Sequence, residues 1–202
     1  MKRVKLVVAY DGTNYCGWQV QPNGITIEGV LNRELSKLLK EDIVVIGASR
    51  TDSGVHSYGN VAVFDTNARM PAEKISYALN QRLPDDIVVQ NSSEIPLDWH
   101  PRHCNSRKTY EYRILNREFP MPQRRLDTWF VYRKLNIPAM CEAAEQFEGT
   151  HDFKSFCSVN TAVEDTTRTI YSCELKQDGE LLTIRITGSG FLYNMVRILS
   201  LI

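Results

Sequence analysis

An arginine and an aspartate one residue apart, Arg50 and Asp52, lie in a stretch of small residues, 47–57. The apolar run 43–46 precedes it and is typical of a buried strand, so we expect a tight loop after a strand. A guanidinium keeps a neighbouring carboxylate ionised and oriented, which suits a nucleophile better than a proton donor. The alternative is that Asp52 closes an Asx-turn before Gly54 while Arg50 is solvated.

The composition restricts the environment and the cofactors. No stretch of 18 apolar residues predicts a membrane span, and a strand-like segment at 4–10 leaves no room for a signal peptide. No nucleotide-binding glycine motif is present, so we expect no nucleotide cofactor. The cysteines are odd in number, scattered and without a CxxC pair, which indicates reduced thiols in a cytoplasmic protein without a disulfide framework or a bound metal. They are Cys16, Cys104, Cys141, Cys157 and Cys173.

The net charge is zero, but basic residues are concentrated in the middle of the chain. Residues 100–134 contain nine Lys or Arg and three Asp or Glu, and aromatic residues alternate with them. Basic side chains contact phosphates and aromatic rings stack on unstacked bases, so this basic run predicts recognition of single-stranded or loop RNA. The alternative is a solvated strand face with core aromatics behind it. The aromatic residues are Trp99, Tyr110, Tyr112, Phe119, Trp129, Phe130 and Tyr132.

Two successive units of alternating strands and helices are predicted to carry these residues. The order β-α-β-β-α-β in a first domain, 1–105, predicts two helices on one face of an antiparallel sheet, a ferredoxin-like or RNA-recognition-like α+β unit. Thr26 is the expected N-cap of its first helix, and Pro84 follows its second. The predicted elements are strand 3–10, helix 27–40, strand 43–48, strand 58–66, helix 72–82 and strand 87–94.

The second domain, 106–202, repeats the order as β-α-β-β-α and lacks the last strand. Residues 177–180 contain Asp-Gly and predict a hairpin with a type I′ bend. The apolar end 198–202, without a polar cap, leads us to expect a truncated chain. The predicted elements are strand 106–116, helix 138–148, strands 168–177 and 181–187, and helix 191–199.

Five segments resemble the motifs of the tRNA pseudouridine synthase A family, in the family's order and over nearly the whole chain. The loop motif of the family matches residues 50–56, with Ser57 where alanine is usual. Trp99 and Pro101 also replace the commoner phenylalanine and alanine. The segments are 10–21 (YDGTNYCGWQVQ), 50–56 (RTDSGVH), 99–102 with 110–112 (WHPR, YEY), 151–156 (HDFKSF) and 190–197 (GFLYNMVR).

The resemblance implies a cofactor-independent isomerase that converts uridine to pseudouridine in the anticodon arm of tRNA, as a homodimer whose basic cleft the run 100–134 lines. It implies that Asp52 is the nucleophile and that Arg197 forms a salt bridge with it. It further implies that Arg50 contacts the RNA and holds the target nucleotide out of the stack. Tyr110 matches the tyrosine that stacks on the flipped uracil, although a core tyrosine is the alternative.

A second hypothesis is a non-catalytic RNA-binding protein derived from this family. The presence of Asp52 favours the enzyme, since a protein that only binds RNA has no chemical need for an ionised carboxylate there. His100 and His103 lack a third ligand at a recognisable spacing, so no metal site is predicted. His56 is expected to support the loop. For Trp18 and Gln19, contact with RNA and burial beneath the sheet both stay open.

Overall fold

The computed structural model describes residues 1–158 and 163–201. The chain divides into two compact units, Met1–Cys104 and Asn105–Ile202. Each unit has a hydrophobic core of its own and a sheet in which most neighbouring strands are antiparallel. The predicted α+β class is therefore confirmed. Ile202, the last residue of the apolar end on which the expected truncation was based, lies outside the described residues.

The first unit has the predicted order of four strands and two helices. Its elements are β1 (Lys2–Tyr10), α1 (Ile27–Leu39), β2 (Ile46–Gly47), β3 (Ser57–Thr66), α2 (Ala72–Asn80) and β4 (Ile87–Ile95). The sheet order is β2-β3-β1-β4, and every pairing is antiparallel. Alternate residues of β1, among them Leu6, are buried in one core with Leu31 and Leu35 of α1 and Ile75 of α2. This is the predicted ferredoxin-like arrangement.

Helix α1 follows its sequence signals closely. The Thr26 hydroxyl accepts a hydrogen bond from the Gly29 amide (3.2 Å), which satisfies one of the free N–H groups of the first turn. Lys40 ends the helix in the left-handed region, with φ of 58°. The prediction of a helix over 27–40 is confirmed to within one residue. Among the described residues, no helix is long and apolar enough to cross a membrane.

The strand predicted over 43–48 is wrong in its first half, because only Ile46–Gly47 pairs with β3. Side chains of α1 accept hydrogen bonds from the backbone N–H groups that precede Ile46. The amide of Ile43 donates to Ser36 Oγ (2.9 Å), and the amide of Val45 donates to Asn32 Oδ1 (2.8 Å). These residues are buried, as their apolar pattern predicted, but their N–H groups bond to a helix and not to a strand.

The second unit builds a five-stranded sheet in the order β6-β5-β9-β8-β7. Its elements are β5 (Lys108–Asn116), β6 (Trp129–Val131), α3 (Ile137–Glu145), β7 (Gly149–Asp152), β8 (Thr167–Asp178), β9 (Leu181–Gly188) and α4 (Met195–Leu199). Strands β5, β8 and β9 with helices α3 and α4 reproduce the predicted β-α-β-β-α order. Within the described residues, no strand follows α4.

Three features of this unit differ from the prediction. Strand β6, parallel to the end of β5, and strand β7, antiparallel to β8, were not predicted. Each is too short, at three and four residues, to show an alternating pattern. The helix predicted over 191–199 begins only at Met195, because Asn194 adopts a left-handed φ of 58°.

The hairpin predicted around residues 177–180 is present, but its turn differs by one residue. Asp178 pairs with Leu181, so the two central residues are Gly179 and Glu180. Gly179 has a φ of 58°, whereas Glu180 keeps a negative φ. A positive φ at the first central position alone is the pattern of a type II′ turn, so the predicted type I′ bend is wrong.

Candidate active site

Asp52 lies in the loop 48–56, which joins the neighbouring antiparallel strands β2 and β3. Two hydrogen bonds close the base of this loop. The amide of Ala48 donates to the carbonyl of Val61 (2.7 Å), and the side-chain amide of Asn60 donates to the carbonyl of Ser49 (3.0 Å). Asp52 is half-buried. The carboxylate is thus carried by a loop whose two ends are fixed by strand pairing.

The segment 10–19, which contains the N-terminal motif, supports the middle of this loop through backbone groups. The amide of Trp18 donates to the carbonyl of Thr51 (3.0 Å), directly before Asp52. Beyond Asp52, the amide of Gly54 donates to the carbonyl of Tyr15 (3.3 Å). Two segments about forty residues apart in the sequence therefore form one substructure.

Two glycines of this segment allow the close approach. Gly17 has a φ of 86°, and a Cβ atom there would lie 2.5 Å from the carbonyl oxygen of Thr51. A Cβ atom on Gly12 would overlap the carbonyl oxygen of Val55. Only a residue without a side chain fits at either position.

Behind the loop, the side chains of Tyr10 and Trp18 form a buried aromatic layer. The hydroxyl of Tyr10 shares a hydrogen bond with Thr51 Oγ1 (2.8 Å), and burial raises the pKa of Tyr10. Trp18 is fully buried, with its ring 5.9 Å from that of Tyr10. Trp18 is therefore a core residue, whereas Gln19 is exposed and accepts a hydrogen bond from Arg50 Nη1 (3.2 Å). Arg50 is exposed as well.

The end of the loop contacts the start of the same segment. Nδ1 of His56 lies 2.9 Å from Asp11 Oδ1 and 3.3 Å from the amide nitrogen of Gly12. Asp11 Oδ1 also accepts from the amide (2.9 Å) and hydroxyl (2.6 Å) of Thr13. These hydrogen bonds from Thr13, with a smaller contribution from His56, hold the pKa of Asp11 below its ordinary value.

Sequence reasoning missed the role of Arg102, a residue of the central motif. Its Nε donates to the carbonyl of Gly47 (2.9 Å), the last residue of β2 before the loop. The nearby His100 and His103 rings lie 4.5 Å apart. In the described ranges, no group of three His, Cys, Asp or Glu side chains is arranged to hold a metal ion. The central motif thus braces the loop through an arginine and a backbone carbonyl.

Tyr110 and Arg197, the other two predicted site residues, belong to the second unit. Tyr110 lies on β5 opposite Ile186 and is half-buried, with the Phe191 ring edge-on at 5.0 Å. Arg197 is exposed on α4, whose Met195 is buried in the core. The aromatic contact links Tyr110 to the segment that carries Arg197.

The two later motifs also meet in this unit. The amide of Ser158, just after the first of them, donates to the carbonyl of Tyr193 (3.1 Å), and Asn194 Nδ2 donates to Ser158 Oγ (2.8 Å). Asp152 accepts from the amide of Lys154 (3.0 Å), so it caps a turn. The motifs 151–156 and 190–197 therefore form a second local substructure.

Part of the basic run is neutralised within the second unit. Arg124 pairs with Asp127 (3.0 Å), and Arg117 pairs with Glu180 (3.1 Å). Tyr132, by contrast, is exposed and lies beneath the guanidinium of Arg133, 5.8 Å from its ring centroid. The run therefore combines structural ion pairs with exposed cationic and aromatic side chains.

Comparison with known proteins identifies the family that shares these motifs. A family model described as tRNA pseudouridine synthase matches residues 6–103 and 143–202. The chain belongs to this family. Proteins named tRNA pseudouridine synthase A from Thermoanaerobacter sp. (strain X514) and Acetivibrio thermocellus are 46% and 45% identical over 199 residues. The protein of that name from Clostridium acetobutylicum is 47% identical over 202 residues. Each match covers 98% of this chain and 82% of the relative.

Proposed function

We propose that this member of the pseudouridine synthase family isomerises uridine to pseudouridine in the anticodon arm of tRNA, with Asp52 as the nucleophile. In this reaction the bond between N1 and C1′ breaks, the base turns, and a bond between C5 and C1′ forms. The proton on C5 is lost and N1 gains one, so neither an oxidant nor a group donor is consumed. The chemistry therefore requires a positioned nucleophile and a bound nucleotide, without a cofactor.

The observation that carries the proposal is the fixed backbone around Asp52. The carbonyl of Thr51 and the amide of Gly54, on either side of Asp52, are both hydrogen-bonded to the segment 10–19. A nucleophile held in one geometry avoids the entropy loss of finding its target, which accounts for much of the rate that enzymes gain by positioning. A loop that only bound RNA would have no chemical need for an ionised carboxylate at this fixed position.

The other predicted residues receive their roles from the family resemblance. Arg197 pairs with Asp52 and keeps it ionised. Tyr110 stacks on the extruded uracil. Arg50 contacts the RNA and holds the target nucleotide out of the stack, and its exposed position, with Gln19 as neighbour, agrees with such a contact.

The proposal includes a homodimer that works in the cytoplasm of the cell. The homodimer follows from the family resemblance, and the cytoplasmic location from the relatives' names, which describe a tRNA-modifying enzyme. Light scattering coupled to size-exclusion chromatography measures the mass of the native protein. A mass of twice 23.2 kDa is expected, and a monomer that modifies tRNA would contradict the dimer and leave the activity standing.

The test is pseudouridine formation in an unmodified tRNA transcript, with the modified positions mapped by carbodiimide adducts and primer extension. The parent protein should modify uridines of the anticodon arm, and Asp52→Ala and Asp52→Asn should modify none while still binding tRNA. Asp42→Ala, which removes another carboxylate of this unit, is the matched control and should stay active. A folded parent that binds tRNA without turnover would contradict the proposal and support the binding-only hypothesis.

A further inference from the structure

We propose that His56 is a positioning residue for Asp52, and that it acts by donating its Nδ1 proton to Asp11. This inference rests on the proposed role of Asp52 as the nucleophile. The contact joins the end of the loop 48–56 to the first turn of the segment 10–19, which also binds the loop next to Asp52. His56 therefore completes the attachment at the point where the loop enters β3.

The geometry of Nδ1 allows only one of two hydrogen bonds. Asp11 Oδ1 lies at 2.9 Å and must accept, whereas the amide of Gly12 at 3.3 Å must donate. A ring nitrogen carries either a proton or a lone pair, so it cannot serve both neighbours at once. The shorter contact and the ionised state of the acceptor both favour a proton on Nδ1.

The acceptor is itself held in place. Two hydrogen bonds from Thr13 fix Asp11 Oδ1, and they keep the carboxylate ionised by lowering its pKa. The same turn contains Gly12, which has no room for a side chain against the carbonyl of Val55. Asp11 therefore presents a fixed negative charge to the imidazole of His56. His56 directly follows Val55, whose carbonyl makes the close backbone approach to Gly12.

The position of His56 explains how the contact reaches Asp52. The amide of Val55 donates to the carbonyl of Asp52 (3.2 Å), so these residues form one turn that ends beside His56. Releasing His56 from Asp11 would loosen this turn while leaving the Thr51 and Gly54 contacts. A displacement of about 1 Å at a reacting group can lower a rate by roughly a hundredfold.

Asparagine and glutamine at position 56 test which ring nitrogen makes the contact, because each places an amide nitrogen at only one of the two positions. The amide nitrogen of His56→Asn reaches the position of Nδ1, whereas that of His56→Gln reaches the position of Nε2. We therefore expect His56→Asn to keep most of the single-turnover rate, and His56→Gln and His56→Leu to lose roughly ten- to a hundredfold. The dissociation constant for tRNA should stay unchanged in all three, since the contact acts on the loop and not on the RNA. Glu73→Leu, a substitution at an exposed position of α2, controls for the added apolar surface.

Amide hydrogen exchange of residues 48–56 provides a readout that does not depend on activity. Exchange should accelerate in His56→Gln and His56→Leu, and remain at the parent rate in His56→Asn and Glu73→Leu. Unchanged exchange in His56→Gln, or an unchanged rate of turnover, would overturn the proposal. Weaker tRNA binding with an unchanged rate would also overturn it, because His56 would then be an RNA contact. If the parent itself forms no pseudouridine, the proposed function fails, and hydrogen exchange alone decides the His56 contact.

Discussion

At the scale of single residues, the loop of Asp52 is supported mainly by backbone atoms of another segment. The amide of Trp18 and the carbonyl of Tyr15 form hydrogen bonds on its two sides. These hydrogen bonds depend less on the side chains of the segment 10–19 than on how closely its backbone approaches the loop 48–56. The glycines of that segment are therefore the positions where a single methyl group has the largest effect.

Gly17→Ala tests this expectation, because the new Cβ would lie 2.5 Å from the carbonyl oxygen of Thr51. We expect a drop in single-turnover rate of at least roughly tenfold with unchanged tRNA affinity, since the peptide before Asp52 must move. Gly179→Ala is the matched control. It has a positive φ of 58° but no atom within 4 Å of the added Cβ. Gly179→Ala should lose about 1–2 kcal/mol of stability from the left-handed backbone, and Gly17→Ala should lose more because of the added overlap. Equal activities would contradict the expectation.

A second residue-scale prediction concerns the ion pair between Arg3 and Asp65. The guanidinium donates to both carboxylate oxygens, at 2.7 and 2.8 Å, and lowers the pKa of Asp65. A carboxyl group with a lowered folded-state pKa stabilises the fold above its unfolded pKa of about 3.9, and this contribution is lost as the pH falls through the folded-state pKa. Asp65→Asn should therefore destabilise the protein by about 1 kcal/mol at pH 7.

Thermal denaturation of the parent and of Asp65→Asn between pH 7 and pH 3 measures this effect. The difference in melting temperature should be full at neutral pH and shrink below about pH 4. Asp85→Asn, an exposed carboxylate before β4, is the control and should change little. A difference that grows as the solution is acidified would show that the ion pair is not its cause.

At the scale of elements, the side chain of Asn80 attaches the end of helix α2 to β4, in addition to the hydrogen bond from the Ser76 amide to Ser92 Oγ (2.9 Å). Asn80 Nδ2 donates to the carbonyl of Val89 (2.9 Å), and Asn80 Oδ1 accepts from its amide (2.8 Å). The helix predicted over 72–82 ends at this residue. Because Val89 is buried, a substitution at position 80 would leave two backbone groups without these partners.

We expect Asn80→Ala to lower the free energy of unfolding by about 2 kcal/mol, from two lost hydrogen bonds at roughly 1 kcal/mol each. Urea denaturation measures the change. Asn91→Ala, an exposed asparagine on the same strand, should change it by less than about 0.5 kcal/mol. Equal losses in the two variants would mean that the Val89 contacts contribute nothing specific.

Elements with long apolar repeats were predictable from the sequence. Short strands that form only by pairing with a neighbouring strand were not. Helix α1 has its apolar repeat and its N-cap in the sequence, so its position was found to within one residue. Strands β6 and β7 are short and exist through pairing with β5 and β8, which no local pattern encodes. Residues 43–45 looked like a strand because they are apolar, and the buried Ile43 and Val45 alternate with the exposed Val44 as they would in a strand. Their hydrogen bonds to Asn32 and Ser36 depend on the tertiary fold.

For the site, the sequence indicated the motifs but not their connections. The residue pattern of the loop pointed to Arg50 and Asp52, the resemblance added Tyr110 and Arg197 as site residues, and the roles of all four remain proposals. That Tyr15 and Trp18 support the loop could not be predicted, because backbone hydrogen bonds leave no mark on residue type. The glycines at 12 and 17 were visible in the motif, and they were the available signal of a close backbone approach.

At the scale of the whole molecule, each unit has its own core, which argues that each folds by itself. The core of the first unit contains Leu6, Trp18, Leu31 and other residues of Met1–Cys104 alone. We predict that a fragment of residues 1–104 unfolds cooperatively in urea but forms no pseudouridine, since Tyr110 and Arg197 belong to the second unit. The same fragment with Leu6→Asp, which buries a charge, is the unfolded control. A parent fragment without a cooperative transition would contradict independent folding.

The support of the loop by the segment 10–19 also affects how the two regions can diverge in evolution. A hydrogen bond from a peptide group survives most side-chain replacements, so many residues of the segment could change without moving Asp52. An inserted or deleted residue between Gly12 and Trp18 would shift every backbone contact with Thr51, Gly54 and Val55 at once. Selection should therefore act on the length of this segment more strictly than on most of its composition.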